Sequence, residues 1–209
     1  MFDQNSVFFR GDRDHDLARD ADRDSARPMG LRSAMQLCLL MLSLVGRASA
    51  SQLWLAAGKP VITLEAADEM ANTAIKEATS KGFNDISVCV IDAAGRTIVS
   101  KTMTNCPALP QKLAHAKAMA CVSTHSSSSR AIRDKYVPDR TPQLVAMTVI
   151  GTECEQPIAA VPGGVLCRDE ASNVVGAIGV SGASADEDEH MAVTAAKAVG
   201  LTSMSSPLP

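Results

Sequence analysis

The stretch from Asn173 to Gly200 constrains this 209-residue chain more than any other. NVVGAIGVSG (173–182) is apolar at nearly every position and punctuated by Gly176, Gly179 and Gly182, which reads as a covered strand that other backbone approaches closely. Ser184-Ala185-Asp186-Glu187 follows at once with the S-x-x-E spacing of a capping box. Asp186–Glu189 then put four carboxylates into a first turn, where the helix dipole favours negative charge. The helix so opened runs to about Val199 and stops at Gly200.

Upstream, Leu64, Ala67, Met70, Ala71, Ala74, Ile75 and Ala78 recur at three- and four-residue steps, one apolar helix face with Thr63 as N-cap and Gly82 as stop. ISVCVID (86–92) is a β-rich run covered on both faces; Ala93-Ala94-Gly95 turns the chain, and RTIVSKTM (96–103) returns as a more exposed hairpin partner. Pro110 suits the first turn of a helix through LPQKLAHAKAMACVS, and the serines at 126–129 end or re-cap it before RAIRDKY. The stretch 138–151 reads equally as helix end or strand, and PIAAVPGG sets a short apolar run before a Pro-Gly-Gly turn. Hairpins dominate and no regular βαβ alternation is present. The expected fold is therefore α+β, with a central antiparallel sheet of about five strands flanked by helices.

The N-terminal 50 residues are of another kind. Residues 1–28 hold seven Asp and five Arg and little apolar mass after the first nine positions, the composition of a disordered or non-native extension. From Met29 the chain gives one basic residue, an apolar run from about Ala34 to Val45, and then Ala48-Ser49-Ala50. This is the three-part layout of a signal peptide, 29–50, leaving a domain at 51–209. With Met29 as the start and cleavage after Ala50, the protein is expected to be secreted. The apolar run is too short for a stable membrane anchor. Aromatics at 3% and a net charge of −3 argue against nucleic acid as a partner, since neither stacking faces nor a basic surplus is on offer. Five cysteines remain after residue 50, none at C-x-x-C spacing. Cys89 reads as a core thiol, while Cys106, Cys154 and Cys167 fall near loops and could pair.

Four phrases, VCVIDAAGRTIVSKTM (88–103), AHAKAMA (114–120), VPGGV (161–165) and VVGAIGVSGASADEDEHMA (174–192), stand in the order and spacing of the GlcG/HbpS-like haem-binding family, which the chain resembles over about 60–200. The resemblance implies a profilin-like layout, self-association into homo-oligomers, and haem or iron as ligand, with haem degradation assigned to some members. Where members commonly carry R-M-D, an aromatic-Thr pair and a second turn proline, this chain has Lys101-Thr102-Met103-Thr104, Met119-Ala120 and Leu166, at the edge of the expected cleft.

Haem iron takes a side-chain ligand such as His, and its propionates favour Arg or Lys. The candidate metal ligands are His115, His125 and His190, and Lys117, Arg130 and Arg133 are candidate propionate partners. Gly182 and Ser184 belong to a loop, Ser181–Ser184, that could accept an anion at a helix N-terminus. The resemblance implies a secreted haem- or iron-binding protein, assisting haem degradation or protection under oxidative conditions. Two other readings stand beside it: an enzyme or cofactor-handling domain for a small metabolite or corrinoid, and a self-associating scaffold.

Overall fold

The computed structural model describes residues 61–204 and 207–208, together with the backbone of 55–56 and 59–60. The extension 1–28, the signal segment 29–50 and Cys38 lie outside the described residues.

The first helix, α1 (Leu64–Lys81), has the ends its sequence calls for. The Thr63 hydroxyl accepts the Ala66 N–H at 3.2 Å, and Gly82 closes the helix at φ 68°, a left-handed turn that glycine adopts without a Cβ penalty. Its buried stripe is Ala66, Ala67, Met70, Ala71, Ala74 and Ala78. Ahead of it, β1 (Leu55–Ala56) and β2 (Lys59–Pro60) form a separate two-residue antiparallel pair.

After α1 come the hairpin strands β3 (Ser87–Asp92) and β4 (Thr97–Thr102). Asp92 holds their turn, its carboxylate accepting the Ala94 and Arg96 N–H groups at 2.9 Å each. Helix α2 (Ala108–Thr124) ends at His125, which takes the left-handed closing position at φ 51°. Ser128 then caps α3 (Ser129–Tyr136), as the serine run suggests. The ambiguous stretch forms α4 (Thr141–Glu153), and Pro142, compatible with a first helical turn, marks its start. Residues 157–161 pair with no strand, and β5 (Gly164–Arg168) begins at the last glycine of the turn. Strand β6 (Val174–Ser181) leads into α5 (Ala185–Ala198), where the Glu187 carboxylate accepts the Ser184 N–H at 2.9 Å, one arm of the expected capping box.

The four long strands form one sheet in the order β4-β3-β6-β5, antiparallel throughout and flanked by helices: the α+β class the sequence implies. Strand alternation divides the core. Val88, Val90, Val165, Ile178 and Val180 meet α1 and α5, whereas Cys89, Ile91, Leu166 and Ala177 meet α2 on the opposite face. Fully burying one of these Val, Ile or Leu side chains stabilises the fold by about 1.5–3 kcal/mol, and both faces hold such residues.

The seat of α2 depends on two glycines. Gly164 and Gly179 are register partners, and a Cβ on them would lie 2.3 Å from the Lys117 carbonyl oxygen and 2.0 Å from that of Ala114. Here the α2 backbone rests directly on strand backbone, with Ala114 and Ala118 against the same face. An alanine–glycine contact this close leaves no room for aromatic side chains. No helix among the described residues is long and apolar enough to cross a membrane.

Candidate functional site

The structure sends the three candidate histidines to three places. His190, on α5, is buried and its Nε2 lies 3.0 Å from Glu77 Oε1 on α1. His125 is exposed and closes α2. His115 is half-buried in an open cleft of about 550 Å³ at the β4 edge of the sheet. Strands β3 and β4 contribute Cys89, Thr97 and Ser100 to this cleft, α2 contributes Gln111, Lys112, His115 and Ala116, and Pro157 closes one side.

Within the cleft, the His115 imidazole makes no hydrogen bond to another described residue, and burial alone pushes its pKa below the ordinary 6.5. It is therefore neutral at physiological pH, the form that ligates a metal. Burial pushes the Cys89 thiol, at the cleft floor, up to about 11, so it stays protonated and is a poor anionic ligand. Lys112 lies one helical turn before His115 and is exposed, which puts a cation at the rim. A concave site with apolar walls and few polar groups, within the usual 300–1,000 Å³, suits a small organic ligand.

Other candidate positions are engaged elsewhere. Lys117 is 2% exposed; its ammonium donates to Asp188 at 2.8 Å and to the Val180 carbonyl at 2.9 Å. Burial lowers its pKa and raises that of Asp188, each against the attraction of the other. Arg130 pairs with Glu189 at 2.6 Å and with Asp186, and Arg133 pairs with its neighbour Asp134. Of the four carboxylates read as a dipole motif, Asp188 and Glu189 thus point inward as partners of α2 and α3 cations. At the Ser181–Ser184 loop, the Ala183 N–H donates to Asp188 and the Ser184 N–H to Glu187, so two of its amides are taken by the helix's own acids.

Three positions where the chain departs from its apparent relatives also lie away from the cleft lining. Lys101 pairs with Asp68 on α1, Met119 packs beneath the Gly95 turn, and Leu166 is buried against α2. All five described cysteines are free thiols, and Cys167 is buried within β5 rather than near a loop. Thr97 and Ser100 lie within the phrase 88–103 but have no chemistry that singles them out there, and Gln111, Lys112 and Pro157 stand in none of the four phrases. Only the three-residue step from Lys112 to His115, one helix face, was available to mark them.

The family model described as haem degrading protein HbpS-like matches residues 62–197, from just before α1 through nearly all of α5. The chain belongs to the HbpS-like family. Its fold is also that of crystal structures of HbpS (27% identity, TM-score 0.57, 70% of this chain and 94% of that one) and of a PduOC–haem complex (19% identity, TM-score 0.59, 69% and 99%). Klebsiella pneumoniae protein ORFY is similar as well (24% identity, TM-score 0.57, 69% and 96%). No curated protein matches significantly. In this HbpS-like domain the family region contains both the cleft and the buried ion pairs.

Proposed function

We propose that this HbpS-like domain binds haem in the cleft between β4 and α2, with His115 as the iron ligand. The observation that carries the reading is the neutral imidazole of His115, half-buried in an open cleft without a hydrogen-bond partner among the described residues. The family match supports it, because the family is described as haem degrading. The donor set fits: one neutral imidazole, a protonated Cys89 that does not compete, apolar carbon from Leu113, Ala116 and Pro157, and Lys112 as a cation for a propionate. Haem, when bound, supplies an iron centre; this chain's residues bind it, orient it and shield one side from water. His190 is a weaker candidate because its ring is buried against Glu77.

Hemin titration followed at the Soret band tests this. A shifted, saturable band that His115→Ala abolishes and His125→Ala leaves intact is the expected result. Because burial lowers the His115 pKa, binding should persist below pH 6.5 before proton competition weakens it. Non-saturable adsorption, or a band indifferent to His115→Ala, would sink the assignment and turn attention to small metabolites or corrinoids. We propose further that residues 29–50 direct export, a reading supported by the Ala48-Ser49-Ala50 layout; a mature chain retaining residues 1–28 would refute it.

A further inference from the structure

The hairpin end of the sheet carries a second cavity, of about 570 Å³. Ile62, Ile98 and Val175, which pack with the α1 side of the core, wall it together with Val61, whereas the cleft of His115 has Cys89 of the α2 side as its floor. The two cavities share Thr97 alone, at the sheet edge. A missing side chain shapes this one. A Cβ on Gly176 would lie 2.2 Å from the Ile91 carbonyl oxygen and 2.7 Å from Ile62 Cδ1, so Ile62 rests where a side chain on β6 would otherwise stand.

The charged groups at its mouth are Asp92 and Arg96, and they are not equally free. The Asp92 carboxylate is spent on its own turn. Its Oδ1 accepts the Ala94 and Arg96 N–H groups at 2.9 Å each, and its Oδ2 accepts from Arg96 Nε at 2.7 Å with Nη2 at the same distance. The guanidinium keeps donors in reserve: Nη1 meets no other described residue, and the side chain is 82% exposed. A ligand therefore finds free N–H donors and Val and Ile carbon here, but no free carboxylate, and that set accepts an anion with an apolar tail. We propose that this cavity binds a small monocarboxylate with a single aliphatic tail, its carboxylate on Arg96 Nη1 and its tail against Ile62, Ile98 and Val175. A cationic amphiphile would bring its own charge to a guanidinium. A dianion such as a phosphate monoester needs more positive charge than one Arg already half-neutralised by Asp92, and no other cation lines the cavity among the described residues. The site lies on the other face of the sheet from the haem cleft and is independent of it.

Titration calorimetry of the full chain with sodium octanoate, at fixed ionic strength, tests this. One saturable site per chain is expected. Acetate, which lacks the tail, should bind about tenfold more weakly or worse, and octanamide, which lacks the charge, about threefold or more. Arg96→Ala should weaken octanoate by about threefold or more, and Arg96→Lys should recover part of the loss. Ile98→Glu sets a carboxylate into the wall and should abolish binding. If far-UV circular dichroism shows that variant unfolded, Ala93→Glu, on the exposed turn, makes the same test and should weaken octanoate by about threefold or more. Hemin should not displace octanoate, and Arg96→Ala should titrate with hemin as wild type does, so this proposal and the haem assignment fail separately. No saturable octanoate binding, equal affinity for acetate or octanamide, indifference to Arg96→Ala, or displacement by hemin would overturn the proposal.

Discussion

Replacing Lys117 by Met tests how helix α2, which carries His115, is held. Both Lys117 and Asp188 side chains are less than 5% exposed and meet at 2.8 Å, across 71 residues of chain. The methionine approximates the aliphatic stem but removes the charge, leaving the Asp188 carboxylate buried with only the Ala183 N–H at 3.1 Å. Removing one partner of a buried pair costs about 3–5 kcal/mol. For a domain of this size that is a fall in Tm of about 6–20 °C. Asp188→Asn, which strands the ammonium instead, should cost a similar amount.

The double variant separates pairing from packing. With Met at 117 and Asn at 188 no charge remains, and the Asn amide oxygen can still accept from Ala183. What is lost is the donor to the Val180 carbonyl, worth about 1–3 kcal/mol if that oxygen stays unsatisfied. Burial already pushes Lys117 down and Asp188 up, both towards the neutral forms, so the pair itself adds little net stability. The double variant should therefore be more stable than either single one. Urea unfolding at constant m-value measures this. A Lys117→Met variant within about 1 kcal/mol of wild type, or a double loss equal to the sum of the singles, would refute the reasoning.

Three further outcomes follow from the same geometry. Gly179→Ala should lose about 3 kcal/mol or more in chemical denaturation, because its Cβ would stand 2.0 Å from the Ala114 carbonyl oxygen, whereas Gly82→Ala, with open space around it and only φ 68° to strain it, should lose about 1–2 kcal/mol. In native thiol labelling mapped by mass spectrometry, exposed Cys154 and half-exposed Cys106 should react first; Cys89, Cys121 and Cys167 should react only on unfolding, burial having raised all three thiols, that of Cys167 to about 12. The hydrogen bond from His190 holds the Glu77 carboxyl below its ordinary 4.5, so the stability it confers is fully present above that pH and disappears as pH falls through the lowered value. Wild type should thus exceed Glu77→Gln modestly near neutrality and converge with it in acid; a gap that persists or widens in acid would contradict the assignment.

The sequence makes local devices legible and long-range ones invisible, and this division explains why His115 stands among the candidate ligands while most of the cleft lining around it does not stand out. Thr63, Gly82, Ser128 and the Ser184–Glu187 box each act within a few residues, so spacing alone exposes them. The hairpin at Asp92 and the edge position of β4, with its alternating exposure, are likewise set by neighbours. Asp188 is the opposite case. As one of four acids after a cap it looks solvated, and only the fold brings Lys117 to it. Helix α2 is harder still: Ala116 through Val122 are all buried, because the helix is covered on several sides, so no stripe remains for periodicity to find. Alanine on every face satisfies any pattern. The cleft inherits that ambiguity, since its wall is α2 and its floor is a cysteine whose role as core thiol and as lining differs only by where strand β4 ends the sheet. Glycines tell the same story: Gly164 and Gly179 lie fifteen residues apart in sequence, and what makes each indispensable is the backbone of a third element resting on both. The physical cause of His115's placement is therefore tertiary: two missing side chains on the sheet and one buried ion pair fix the height and angle of α2, and the neutral imidazole in the cleft follows from that seat.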